Sequence, residues 1–268
     1  METAVKKTTN EFLKNIAEPF EQEDVKFLIT VFPKGFDGYP IKTVEWTEDV
    51  EIKDDRQYFY TLNPRKEIPV NNKGKITQGS KKTVAFANGL FADIDYGEKG
   101  HKKESGYETL EEVLQAVEAF ELTPTYLYHT GHGLQVLYLF KEPLKVGGDI
   151  TIEEYETLNR ALQNRLGADT TPSISHLLRL PGSWNLKKDA VPVEILEASD
   201  TCYTLKEFKE ALPAAVVHGG EKETEQKPDV LQKLGVDKRR LSDRAKSLIM
   251  NLKDPKDVKN KDRSALVF

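Results

Sequence analysis

Cysteine and histidine are scarce in this chain. Its 268 residues include 5 histidines and a single cysteine, Cys202. One cysteine excludes an internal disulfide, and the two residue types together are too few for a thiolate zinc site. A chain without disulfides suits a reducing compartment, so we expect a cytoplasmic protein.

Long apolar runs are also missing. No stretch approaches the roughly 20 apolar residues that a membrane-spanning helix needs, and the start of the chain lacks the apolar core of a signal peptide. Charged residues make up 31% of the chain and the mean hydropathy is -0.55, so we expect no membrane partner. The net charge of -5 argues against general affinity for nucleic acid, although local basic clusters can still bind it.

Two aspartates, Asp93 and Asp95, stand one residue apart in the apolar stretch Phe91-Ala92-Asp93-Ile94-Asp95-Tyr96. On an extended strand they project from the same face, because successive side chains alternate. Two like charges are costly to bury unless a cation neutralises them, and Mg²⁺ uses one or two carboxylates together with substrate phosphates. The pair therefore predicts half of a metal site. Taken alone, it also fits a strand end with two solvated aspartates.

A basic stretch precedes these acids. Between positions 65 and 82 the charged residues are Arg65, Lys66, Glu67, Lys73, Lys75, Lys81 and Lys82. Asparagine and glycine between them indicate a loop. Beside a metal site, such a loop is a candidate contact for phosphate or template, and we select Arg65, Lys66, Lys73 and Lys75 for that role. The alternative is a solvated surface loop.

Helices and strands are mixed along the sequence rather than regularly alternating. Capping patterns predict helices that begin after Thr109, Thr151 and Thr204. The stretches 125–128 and 134–140 read as two strands joined across Gly131-His132-Gly133, which predicts a hairpin. This order favours an α+β fold with a sheet covered on one face by helices.

The composition changes after residue 212. Residues 213–236 are polar and poor in aromatics, which predicts a linker. Residues 237–268 are predicted to form a helical segment, whose apolar side carries Leu241, Ala245, Leu248, Ile249 and Leu252. We expect this segment to begin a further domain and to make few contacts with residues 1–212.

Three polar stretches together carry a more specific pattern. They are Asp93-Ile94-Asp95, then Thr130-Gly131-His132-Gly133-Leu134-Gln135, then Asp169 with the string from Arg179 through Pro181-Gly182-Ser183-Trp184-Asn185 to Lys187. The pattern resembles the archaeo-eukaryotic primase superfamily, in particular its plasmid and phage primase-polymerase and RepB-like branch. The resemblance extends from residue 55 to residue 200, and the string Arg-x-Pro-Gly-x-x-Asn-x-Lys is its most specific part.

The resemblance implies a fold and a metal site. The fold is an RRM-like palm sheet with helices on one face, an N-terminal α/β subdomain and a C-terminal helical segment. The implied catalytic residues are the metal ligands Asp93, Asp95 and Asp169, which would hold Mg²⁺ or Mn²⁺. Asp169 stands one residue nearer Arg179 than the pattern of the superfamily leads us to expect.

The resemblance also implies nucleotide contacts. These are Gln135, His132, Arg179, Asn185 and Lys187. The middle motif of the superfamily usually ends in a histidine, but here Gln135 takes that place and His132 lies in the turn, where a solvent-exposed side chain is equally expected. Arg179 suits bidentate phosphate binding and Lys187 supplies a point charge. Trp184 either stacks on nucleic acid or packs under its own loop.

We therefore expect a template-dependent nucleotidyltransferase, a DNA primase and DNA polymerase that joins nucleoside triphosphates on single-stranded DNA. Residues 1–212 would be its catalytic domain, and by analogy a helicase domain in the same polypeptide is an expected partner. One alternative is a catalytically reduced nucleic-acid-binding or origin-recognition module, which Gln135 supports. Another is a sugar-nucleotide transferase that uses Asp-x-Asp, a class with no need for the Arg-x-Pro-Gly string.

Overall fold

Two four-stranded antiparallel sheets are formed by the apolar stretches of the sequence, and two short strands, Trp184–Asn185 and Val191–Pro192, form a small two-stranded sheet beside them. They are seen in a computed structural model that describes residues 2–35, 39–47, 49–97, 106–187, 189–213 and 242–252. The strands are β1 (Leu28–Pro33), β2 (Lys42–Glu45), β3 (Arg56–Thr61), β4 (Phe86–Asp95), β5 (Tyr126–His129), β6 (Gly133–Lys145), β7 (Leu177–Arg179), β8 (Trp184–Asn185), β9 (Val191–Pro192) and β10 (Glu194–Ala198). The α-helices are α1 (Glu2–Ala17), α2 (Leu110–Glu118), α3 (Ile152–Arg165), α4 (Leu205–Ala211) and α5 (Asp243–Asn251).

The helices begin where the sequence predicts. The hydroxyls of Thr109, Thr151 and Thr204 accept hydrogen bonds from backbone N–H groups in the first turns of α2, α3 and α4. Each bond satisfies a donor that the helix itself cannot pair. The predicted hairpin is also confirmed, because β5 and β6 pair on either side of the turn at residues 130–132.

The larger core lies between one sheet and the helices. This sheet, which we call the palm sheet, has the strand order β10-β5-β6-β4. Leu90, Ala92 and Ile94 of β4 point to the helix side and are buried in a cluster that includes residues of α2, α3 and α4. The α+β prediction is thereby confirmed, and α2, α3 and α4 cover this face of the palm sheet.

The opposite face of the palm sheet packs against α1 and the first sheet, whose strand order is β2-β1-β3-β7. Phe12 of α1 makes edge-to-face contacts with Tyr60 of β3 and with Tyr126 and Tyr128 of β5. Edge-to-face rings at such spacing add to the gain from burial. The two sheets thus share a core on the side that faces away from α2 and α3.

Strand β4 lies at the edge of the palm sheet, and α3 covers that edge. The Tyr155 hydroxyl donates to the Gly89 carbonyl (2.9 Å), and the Asn159 side chain accepts from the Phe91 N–H (2.9 Å). The Gln163 side chain donates to the Phe91 carbonyl (3.3 Å). These bonds satisfy backbone groups that an edge strand otherwise leaves open.

Helix α5 packs on the same helix-side core, which corrects the expectation of few contacts between the C-terminal segment and residues 1–212. Ala245 is fully buried, and Leu248, Ile249 and Leu252 are partly buried against the cluster. The Ser242 hydroxyl donates to Glu118 of α2 (2.6 Å), and Arg244 forms an ion pair with Glu197 of β10. The predicted linker at 213–236 lies outside the described residues except for residue 213.

No helix within the described ranges is long and apolar enough to span a membrane.

Replacing Ala245 with aspartate is expected to lower the free energy of unfolding by about 2 kcal/mol or more, because a charge would be buried in the apolar cluster. Met250→Asp is the matched control, since Met250 lies in the same helix with 85% of its surface exposed. Urea unfolding measures both. Equal stability of the two variants would contradict the packing of α5 on the core.

Candidate functional site

Asp93 and Asp95 lie at the end of β4 on the face that is turned toward the first sheet, and we call the space between them and β7 the cleft. Their neighbours Ala92 and Ile94 point to the helix-side core, whereas Phe91 belongs to the cluster shared with the first sheet. Because side chains alternate along a strand, Asp93 and Asp95 lie on the same side as Phe91. Both are half-buried. The expectation that the two acids share one face is confirmed.

Gly133 of β6 lies directly opposite Asp95. A Cβ atom at position 133 would lie 2.6 Å from the Ile94 carbonyl oxygen and 2.9 Å from Oδ1 of Asp95. Because Gly133 has no side chain, the Asp95 carboxylate has room at the end of the strand.

Gln135 lies opposite Asp93, and both ends of its amide are used within the protein. Its Nε2 donates to Oδ2 of Asp93 (3.2 Å), and its Oε1 accepts from the backbone N–H of Arg179 (3.1 Å). The residue is only 2% exposed. Gln135 thereby links the palm sheet to β7 of the first sheet and orients Asp93, and its direct contact with a phosphate stays a prediction.

Arg179 brings a positive charge to the two acids. It lies on β7 opposite Phe59, and its guanidinium carbon is 4.9 Å from the centre of the Phe59 ring. Burial lowers the pKa of Arg179 to about 10, while the charges of Asp93 and Asp95 raise it. The guanidinium stays protonated at neutral pH. The predicted phosphate ligand and the predicted metal ligands therefore face the same cleft.

The backbone of Asp169 adjoins β4, since its N–H donates to the Asp93 carbonyl (3.2 Å). Its side chain is exposed. Across the ranges described above, no three Asp, Glu, His or Cys side chains come together as a metal site. The backbone of Asp169, the predicted third ligand, thus lies beside Asp93. Its carboxylate does not form a preassembled group with those of Asp93 and Asp95.

The donor set nevertheless fits Mg²⁺ or Mn²⁺. Such hard ions prefer oxygen ligands, and Mg²⁺ in particular is commonly held by one or two carboxylates while substrate phosphates and water complete its shell. Asp93 and Asp95 supply two carboxylates on one face of β4. Their charge needs a cation in a half-buried cleft.

The string after Arg179 folds onto the turn between β5 and β6. Asn185 donates from Nδ2 to the Thr130 carbonyl (2.6 Å) and accepts the Lys187 N–H at Oδ1 (3.1 Å), and it is 4% exposed. Its amide therefore holds the string in place, and a direct contact of Asn185 with the nucleotide stays a prediction. Lys187 is exposed, and Trp184 is half-buried opposite Pro192.

The predicted turn residue His132 is half-buried and lies near a second histidine. His129 is buried, which lowers its pKa to about 4, and the charge of His132 adds to this effect. Nδ1 of His129 accepts from the Gly131 N–H (3.3 Å), so in the neutral ring Nε2 donates to the Tyr96 hydroxyl (2.8 Å). The His129–Tyr96 hydrogen bond ties the end of β5 to the residue that follows Asp95.

Two polar residues near the cleft were not singled out by the sequence pattern. His176 stacks on the ring of Phe91 at 5.2 Å between centres, and burial lowers its pKa to about 4. Gln57 of β3 accepts a hydrogen bond from Nη1 of Arg179 (2.9 Å). Neither residue belongs to a recognisable motif. The only sequence signal for them is that both lie within residues 55–200, the stretch that carries the resemblance.

The basic loop divides into one buried and several exposed residues. Arg65 is fully buried, and its guanidinium donates to the carbonyls of Asn63 (2.6 Å), Gln78 (3.0 Å) and Ser175 (3.2 Å). These bonds hold the loop to the segment before β7, and a contact of Arg65 with nucleic acid stays a prediction. The loop lysines Lys66, Lys73 and Lys75 are exposed.

Comparison with known proteins finds solved structures with a similar fold. No family model matches this chain, and no curated protein matches it. The structure is similar to the AEP domain of the primase-polymerase (PrimPol) of cyanophage S-2L, with a TM-score of 0.52, 15% identity, and coverage of 77% of this chain and 98% of that chain. The chain therefore has the fold of an archaeo-eukaryotic-type primase domain, which confirms the resemblance at the level of fold.

Two further similar structures are of primase RepB'. The first has a TM-score of 0.45 and 14% identity, and the match covers 76% of this chain and 62% of that chain. The second, its catalytic domain in complex with initiator DNA, has a TM-score of 0.42 and 14% identity, with 76% of this chain and 93% of that chain covered.

Arg65→Met is expected to lower the free energy of unfolding by about 3 kcal/mol or more, because three carbonyl oxygens lose a charged donor. Lys73→Met, in the exposed part of the same loop, should leave stability within about 0.5 kcal/mol. Urea unfolding of the two variants checks the difference. A stable Arg65→Met protein would show that the arginine is not a structural residue.

Proposed function

We propose that this chain is a template-dependent nucleotidyltransferase of the primase-polymerase type, which joins nucleoside triphosphates on a single-stranded DNA template. The observation that carries the proposal is the meeting of Asp93 and Asp95 with Arg179 in one cleft, where the Gln135 amide contacts both the Asp93 carboxylate and the backbone N–H of Arg179. Acids for metal and a fixed cation for phosphate are the groups that nucleotidyl transfer requires. The shared primase-polymerase fold supports this proposal.

Each residue of the cleft has a part in that reaction. Divalent ions held by Asp93 and Asp95, with Asp169 beside them, would activate the attacking hydroxyl and stabilise the leaving phosphate oxygen. Arg179 binds the triphosphate through its guanidinium, whose planar fork suits phosphate oxygens. Exposed Lys187 adds positive charge near the phosphates. Gln135 keeps the Asp93 carboxylate turned toward the cleft.

The template would run along the exposed lysines of the basic loop. Lys66, Lys73 and Lys75 project into solvent, and such side chains attract the phosphate backbone without reading sequence. Half-buried Trp184 offers a ring on which a base can stack. A helicase domain in the same polypeptide stays a prediction.

A second candidate is a nucleic-acid-binding or origin-recognition module on the same fold, with reduced catalysis. It is favoured by the absence of a preassembled group of three metal-binding side chains among the described residues. The internal role of Gln135, at the place of the usual histidine, points the same way. This candidate predicts binding of single-stranded DNA without nucleotide incorporation.

Asp93→Asn and Asp95→Asn are each expected to lower nucleotide incorporation by about a hundredfold or more, because an amide cannot replace a carboxylate as a metal ligand. The thermal unfolding transition should stay close to that of the original protein. The assay uses single-stranded template, labelled nucleoside triphosphates and Mn²⁺, with the exposed Asp54→Asn as control. Unaltered incorporation in both variants would remove the metal site, and an inactive original protein that binds the template would favour the binding module.

Arg179→Ala and Lys187→Ala are expected to weaken nucleoside triphosphate binding about tenfold or more, since each removes a charge-assisted phosphate contact of about 1.5 to 3 kcal/mol. Affinity for a single-stranded oligonucleotide should change less. Arg160→Ala, at an exposed position on α3, is the control for loss of one positive charge. Equal losses for both ligands would place the two residues on the template path.

A further inference from the structure

We propose that Gln57 is a positioning residue that holds the guanidinium of Arg179 in place while leaving its positive charge available to an anionic triphosphate. This rests on the proposed function and adds to it a residue that contacts neither metal nor nucleotide.

Gln57 is fully buried in the first sheet, on β3. Its Oε1 accepts from Nη1 of Arg179 (2.9 Å) and from the backbone N–H of Leu186 (3.4 Å). Its Nε2 donates to the Pro33 carbonyl at the end of β1 (3.4 Å). The amide is therefore held from both ends, so its oxygen presents a fixed acceptor to the arginine.

Uncharged groups hold Arg179 at other points as well. The Gln135 oxygen accepts from its backbone N–H, and the Phe59 ring lies beneath its guanidinium. A guanidinium has five N–H donors, and Gln57 takes one of them. The remaining donors can serve a phosphate without any change in the contact to Gln57.

The neutrality of Gln57 matters because the cleft already contains negative charge. Burial lowers the pKa of Arg179, and the carboxylates of Asp93 and Asp95 oppose this effect by favouring its charged form. A carboxylate at position 57 would sit at hydrogen-bonding distance from the same guanidinium and neutralise it. An amide gives the same orientation without that charge, so the arginine keeps its attraction for phosphate.

Gln57→Glu tests the proposal, because it keeps the acceptor for Arg179 and Leu186 and adds a charge. It also removes the donor to the Pro33 carbonyl, which the thermal unfolding scan checks. Binding of inorganic tripolyphosphate and of a nucleoside triphosphate is measured by calorimetry, alongside a single-stranded oligonucleotide and a thermal unfolding scan. We expect both phosphate ligands to bind about tenfold or more weakly to the folded variant, with oligonucleotide affinity within about twofold. Gln22→Glu, an equal charge change at an exposed position, should match the original protein.

The outcomes separate this proposal from the proposed function. If the original protein binds both phosphate ligands and folded Gln57→Glu binds them within about twofold as tightly, this proposal alone is overturned. If the original protein binds neither ligand, the phosphate role of Arg179 falls, and Gln57 with it.

A second variant covers the case in which Gln57→Glu does not fold. Gln57→Met keeps the volume and the burial but removes the acceptor, so the guanidinium loses its fixed orientation. Folded Gln57→Met should bind tripolyphosphate about fivefold or more weakly, while oligonucleotide binding is retained. Tripolyphosphate affinity within about twofold of the original would overturn the proposal, because orientation by Gln57 would then be unnecessary.

Discussion

The open edge of β4 is the constraint on which the rest of the structure depends. An edge strand exposes backbone donors and acceptors that must find partners when the surface is covered. Here polar side chains of α3 provide them, at Gly89 and Phe91, and the Asp169 N–H continues the series at Asp93. The strand that carries the two acids is thus fixed by one helix along its outer side and by β6 along the other.

Fixing β4 also fixes how the two sheets meet. Gln135 crosses from the palm sheet to β7 and contacts Asp93 and Arg179 through one amide. A rotation of one sheet against the other would break these bonds at the point where the acids and the arginine face each other. The geometry of the cleft is therefore a property of the whole two-sheet arrangement.

Local sequence patterns predicted those structural features that depend only on residues close together in the chain. The period of two placed Asp93 and Asp95 on one face, and the threonine caps marked the starts of α2, α3 and α4. The same patterns could not predict contacts between residues far apart in the chain. Arg65 reads as part of a charged loop, yet buried carbonyls surround it. Gln57 has no signature at all, because its partner Arg179 is 122 residues away.

The contact of α3 with the edge of β4 also corresponds to a pattern in the sequence of α3. Tyr155, Asn159 and Gln163 are spaced four residues apart, so they form one polar row along a helix whose other inward residues are apolar. Tyr-x-x-x-Asn-x-x-x-Gln, followed by Gly-x-Asp, is a short signature for a strand edge sealed by side chains. In this chain the row marks the helix that lies against the acidic strand, without reference to the string after Arg179.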